Sequence, residues 1–173
     1  MTVKKILIEP NKILRKKSLN VERVNSEIQS LMDDMLDTMY AASGIGLAAI
    51  QIGVPKRVIV LDISQDKKNP IFFINPKILW KADQDSIYEE GCLSVPNQFA
   101  EINRPEQCHV EYLNYYGKPK LLKAKGVLAT CVQHEMDHLE GILFIDYLSK
   151  LKKSMIIKKL SKQKKENPNR IVV

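Results

Sequence analysis

The five residues His134-Glu135-Met136-Asp137-His138 restrict this chain more than any other stretch. On a helix the two histidines project from one face, their Cβ atoms about 6 Å apart. Both imidazoles then reach one divalent ion. Glu135 falls beside a vacant position of that ion, where a carboxylate takes a proton from water. The chain has three histidines, and two of them are here. Paired histidines also recur on helix surfaces and in cores, so the pattern makes a site only if a third ligand joins it.

That ligand has to come from upstream. After His138 there is no histidine, the acids are Glu140, Asp146 and Glu166, and Phe144 occupies the position six residues on. Cys131 shares the helical face of His134 but lies seven residues before His138, about 10 Å along the axis. Ligand atoms on one ion are only about 3–4 Å apart, so Cys131 reads as a cavity wall or core. Cys108 sits in an alternating strand pattern, where a buried thiol is ordinary. Cys92 lies in Tyr88–Pro96, read as a loop bounded by glycine and proline, and is the first choice.

Three segments resemble the signature motifs of the peptide deformylases: Gly44-Ile45-Gly46-Leu47-Ala48-Ala49-Ile50-Gln51, Glu90-Gly91-Cys92-Leu93-Ser94, and Gln133-His134-Glu135-Met136-Asp137-His138. Their order and spacing also fit, over nearly the whole chain. Asn97 after Pro96 and Tyr88 depart from the commonest pattern and bear on the shape of the cleft. The resemblance implies an ion held by Cys92, His134 and His138, with Glu135 as acid/base. It assigns the Gln51 amide and the Leu93 backbone N–H to the carbonyl oxygen. It pairs Glu90 with Arg104 to hold the segment carrying Cys92. It implies Fe2+ as the one divalent ion per chain, with Zn2+, Ni2+ or Co2+ as substitutes. By ligand type alone Zn2+ is the base expectation.

The chemistry read from the residues is metal-assisted hydrolysis of an amide, with water's pKa brought from about 16 toward 7. Glu135 moves the proton to the leaving nitrogen. Gly46 and Gly91 let a substrate backbone approach closely. Val127, Thr130 and Cys131 lie one and two turns before His134 and, with Ile45, are expected to line an apolar slot. The resemblance makes the substrate an N-formylmethionyl nascent peptide, and formate a product. Two rival functions are a metallopeptidase with a different third ligand and a non-catalytic, metal-stapled ribosome adaptor.

The elements read as α+β: short, mostly antiparallel strands packed around a central metal-binding helix, with a basic C-terminal helix at about 148–166. One deformylase-like catalytic domain is expected over 1–173. Val24–Ala42 is predicted helical, with Ser26 and Gln29 at capping-box spacing. Arg57–Ile63 and Ile71–Ile78 read as strands, and Gln107–Leu113 with Lys120–Ala124 as a hairpin. Gly126 and Gly141 bracket the metal helix.

Residues 150–173 hold eight lysines, Arg170 and only Glu166, a net of +8 that leaves −1 for the rest of a chain whose total is +7. A solvated charge run is the default for such a tail. The sharper expectation is contact with ribosomal RNA or protein, with Leu148, Leu151 and Met155 docking the start of the helix and the remainder extending away. No DNA or membrane partner is expected. Glycines, Gln51 and Pro55 interrupt the uncharged run Thr38–Pro55. The apolar run Ile6–Ile8 is too short for a secretory signal. Three cysteines with no obvious pairing suit a reducing compartment, and a cytoplasmic protein is expected.

Overall fold

A computed structural model describes residues 2–166. The first helix, α1 (Ser26–Ala41), starts one residue earlier than a Ser26 cap would place it, because the Asn25 side chain accepts the Ile28 N–H at 3.0 Å. Asn25 is therefore the cap, Ser26 belongs to the first turn, and the capping-box expectation fails. Ile28, Met32, Met35 and Met39 recur on one face of α1 and are buried.

Among the described residues seven strands follow: β1 (Gly46–Ala48), β2 (Val58–Leu61), β3 (Ile71–Lys81), β4 (Asp85–Cys92), β5 (Val95–Pro105), β6 (Gln107–Leu113) and β7 (Pro119–Lys125). Five form one antiparallel sheet in the order β1-β2-β3-β6-β7, and β4 and β5 form a separate hairpin. The sheet lies between two helices. Val58 and Val60 of β2 pack toward α1, while Ile59 and Leu61 pack toward α2 (Val127–Leu139). All four residues of β2 are buried, since a strand covered on both faces has no polar side. This α+β architecture, with antiparallel strands about the helix that carries both motif histidines, is the one expected.

Two further expectations need correction. Tyr88–Pro96 is not a loop: β4 pairs residue by residue with β5 up to Gly91↔Phe99, and Cys92 closes onto Val95 at the hairpin tip. The alternation of β4 is inverted, with Glu90 buried against Arg104 as an ion pair and Ile87 exposed, so period-2 hydrophobicity gives no signal for that strand. From Ala100 on, β5 alternates in the ordinary way, with Ala100 and Ile102 buried and Glu101 and Asn103 exposed.

The second correction concerns α3 (Lys150–Glu166). Leu151 and Met155 are exposed at 73% and 62%, whereas Ile156 and Leu160 are buried against Val95, Ile102 and Phe144. An i, i+4 pair on the opposite stripe does the docking, so the helix stays on the body at least to Leu160. Arg170 and the other residues from 167 on lie outside the described residues. No helix among the described residues is long and apolar enough to cross a membrane.

Candidate metal centre

The helix α2 runs alongside β1, β2 and β7 and buries Thr130, Gln133, His134, Glu135 and His138. The hairpin tip carries Cys92 onto this helix. Cys92 Sγ lies 3.3 Å from His138 Nε2, and one donor atom each from Cys92, His134 and His138 falls within 4.8 Å of the others. Cys131 and Cys108 are not part of this set. Burial pushes the Cys131 thiol up to about 12, with Glu135 and Glu90 adding to the effect, and it remains protonated on the wall.

The tautomer of His134 is set from behind. Its Nδ1 contacts Glu90 Oε2 at 2.8 Å, leaving Nε2 for the interior. Glu90 is gripped by the Arg104 fork, Nε to Oε1 at 2.5 Å and Nη2 to Oε2 at 3.0 Å, and Arg104 Nη1 donates to Asp137 at 2.8 Å. Burial opposes charge on His134, yet contacts with Cys92 and Glu90 prevail and lift its pKa well above the usual histidine range. His138 goes the other way: burial first, then the cations at His134, Arg104 and Arg15, hold it well below that range. With Nδ1 of His134 engaged by Glu90, its Nε2, the His138 ring and the Cys92 sulfur make a sulfur-and-two-nitrogen donor set that is chemically fit for a divalent cation.

Glu135 completes the wall. Its Oε2 is buried without a hydrogen-bond partner among the described residues. Burial raises its carboxyl to about 7, which His134 counteracts and Glu90 reinforces. A Cβ at residue 46 would sit 2.5 Å from Glu135 Oε1 and 2.7 Å from Leu61 Cδ2, so only glycine leaves room for the carboxylate.

Gln51 lies in a 3-10 helix, Ala49–Ile52, just after β1. Its Oε1 accepts the Ala48 N–H at 2.8 Å, which turns the amide nitrogen toward Ser94 Oγ (3.1 Å) and Cys92 Sγ (3.6 Å). The amide donor is thus aimed at the sulfur's side of the cleft.

One cleft of about 590 Å³ gathers nearly every residue singled out from the sequence: Ile45, Gly46 and Gln51, then Glu90, Gly91, Cys92 and Leu93, then Val127, Thr130, Cys131, His134 and Glu135. Arg104 lies outside it, behind Glu90. His138 does not line the cleft and is fully buried, against Cys92 and His134. Sequence reasoning missed Phe99, which is 64% exposed on the rim and covers Gly91 closely enough that a Cβ there would come within 2.6 Å of its ring. Asp137 sits in the His134 motif one turn after that histidine, but helical angles alone do not settle its partner, and Tyr147 falls in no motif.

The family model of the polypeptide deformylases matches residues 3–154. The chain is 71% identical to the peptide deformylase of Pelagibacter ubique (strain HTCC1062) over 175 residues, covering 100% of both. It is 54% identical to that of Phenylobacterium zucineum (strain HLK1), covering 95% of this chain and 99% of the relative. Among solved structures, the peptide deformylase from Legionella pneumophila superposes with a TM-score of 0.91 at 44% identity, covering 98% of this chain and 99% of that one. The Ehrlichia chaffeensis peptide deformylase in complex with actinonin superposes with a TM-score of 0.91 at 43% identity, covering 94% and 98%.

Proposed function

We propose, from the premise that this chain belongs to the peptide deformylase family, that it hydrolyses the formyl amide of N-formylmethionyl peptides, releasing formate and a free N-terminal methionine. The observation that carries the reading is the meeting of Cys92, His134 and His138 beside the unpartnered Glu135 carboxylate on one cleft. The metallopeptidase and the adaptor lose to family membership. The adaptor also leaves the buried Glu135 and the aimed Gln51 amide without a use.

Cys92, His134 and His138 would hold one divalent ion, Fe2+ by family expectation, with Zn2+, Ni2+ or Co2+ able to substitute. When bound, the ion supplies a Lewis acid and makes water a nucleophile near neutral pH. The chain's own groups do the rest. The Gln51 amide and the Leu93 N–H receive the carbonyl oxygen as charge develops on it, each such donor being worth about 3–4 kcal/mol of barrier. Glu135 takes a proton from the attacking water and hands it to the departing nitrogen, so formate leaves and the amine is neutralised.

The methionine side chain occupies the slot of Ile45, Val127, Thr130 and Cys131, which an unbranched thioether fills adaptably. The peptide backbone lies extended between Gly46 and Gly91. β1 ends its sheet and β4 belongs to a two-stranded hairpin, so both have a free edge to pair with an added strand. In the cell we place the protein in the cytoplasm, with the exposed lysines of α3 toward the ribosome. Anaerobically purified protein should release formate from formyl-Met-Ala and leave unblocked Met-Ala intact. Glu135→Gln should keep its metal and lose about 10²–10⁴-fold in turnover. Cleavage of the unblocked peptide, or undiminished turnover by the variant, would overturn the reading.

A further inference from the structure

We infer that Tyr147 is a positioning residue for the proposed ligand His134, acting through Arg104 and Glu90 from outside the cleft. The inference rests on the metal-site reading above and extends it to a segment that no signature motif contains.

Tyr147 ends a 3-10 helix, Phe144–Tyr147, shortly after α2. Its hydroxyl donates to Asp137 Oδ2 at 2.8 Å, the same oxygen that accepts from Arg104 Nη1 at 2.8 Å. Its ring lies against the Arg104 guanidinium, 5.0 Å from Cζ to the ring centroid. Arg104 is only 5% exposed, whereas Tyr147 is 52% exposed, so the tyrosine stands between the buried cation and solvent. The guanidinium in turn forks Glu90, whose Oε2 meets His134 Nδ1 at 2.8 Å. Two carboxylates, Glu90 and Asp137, share one guanidinium, Glu90 through Nε and Nη2 and Asp137 through Nη1. The tyrosine hydroxyl satisfies part of Asp137, and the ring screens Arg104 from water, so Arg104 stays on Glu90.

A second contact comes from the same turn. Phe144, fully buried, stacks on the His134 ring with centroids 6.2 Å apart and planes 26° apart. The turn therefore bears on His134 twice, on its face through Phe144 and at Nδ1 through the Tyr147 relay. It is pinned by Asp146, which accepts from the Leu143 N–H at 2.9 Å and from Arg15 at 2.6 Å. A residue that sets the orientation and basicity of a ligand histidine affects metal retention as much as turnover.

The test uses cobalt-loaded full-length protein, wild type beside Tyr147→Phe and Tyr147→Leu. Tyr116→Phe, at an exposed tyrosine elsewhere, serves as control. Cobalt affinity by chelator competition should weaken about threefold in Tyr147→Phe, which keeps the ring, and about tenfold in Tyr147→Leu, which keeps neither ring nor hydroxyl. The visible cobalt bands should shift in both, and kcat on formyl-Met-Ala should fall with KM unchanged. Wild-type affinity and spectrum in Tyr147→Leu would overturn the inference. If circular dichroism shows that variant unfolded, unchanged affinity and spectrum in Tyr147→Phe would overturn it alone. Wild type that binds cobalt but releases no formate would sink the functional reading and leave the affinity comparison standing.

Discussion

Glu135 carries the account at the scale of single residues, because its position gives it the right pKa for its task. Burial raises its carboxyl from 4.5 to about 7, and a cation beside it pulls the value back down. The base must be ionised, so kcat/KM should fall as pH drops through this group, with the acid limb between 4.5 and about 7. A pH–rate profile flat from pH 7 down to 4 would contradict a buried carboxylate base. Helical spacing and a shortage of histidines point in the chain to His134, Glu135 and His138, while the Gln51, Leu93 and Glu90–Arg104 assignments rest on the family resemblance. The environment that tunes them was not legible there. That Glu90 engages Nδ1 of His134, and that the Gln51 amide is turned by the Ala48 N–H, depends on chain segments that meet only in three dimensions.

Among the elements, α1 could be read from its apolar stripe and the metal helix from its histidine spacing and bracketing glycines, whereas β4 could not be read as a strand. On β4 the chain buries Glu90, paired with Arg104, and exposes Ile87, the opposite of a half-buried strand, whereas β5 buries Ala100 and Ile102 in the ordinary alternation. The C-terminal helix was found but assigned the wrong face, since lysines separate Ile156 and Leu160 from the stripe that reads more clearly. Docking and charge are therefore separable on α3. Leu160→Ala should destabilise the protein by about 2–4 kcal/mol in urea unfolding, because a fully packed side chain leaves a cavity. Reversing the exposed Lys158, Lys159 and Lys162 to glutamate should leave stability within about 0.5 kcal/mol. The same reversal should abolish salt-sensitive co-sedimentation with ribosomes and spare turnover of formyl-Met-Ala. Ribosome binding that survives it would assign these lysines to solvation alone.

Taken whole, the molecule ties its N-terminal segment to the turn after α2 and to α3 at Asp146. This carboxylate meets Arg15 of the N-terminal segment at 2.6 Å and Lys153 of α3 at 2.6 Å, and it caps its own turn at the Leu143 N–H. Burial works against its charge, but Lys153, the Leu143 N–H and Arg15 prevail and hold its pKa below 3.8. A carboxylate depressed on folding stabilises the native state above its unfolded pKa and loses that contribution as pH falls through the folded value. Asp146→Asn should therefore be less stable than wild type at pH 7, with the gap closing below pH 3.8. An equal gap at pH 7 and pH 2.5 would show that the carboxylate's charge is not what binds these segments together.

All of this presupposes that one sulfur and two imidazoles share an ion at the base of the cleft. X-ray absorption on the iron- or cobalt-loaded protein reads that shell directly. One sulfur with two nitrogens is the predicted result, the sulfur vanishing in Cys92→Ala. A shell of nitrogen and oxygen alone in the unmutated protein would contradict it.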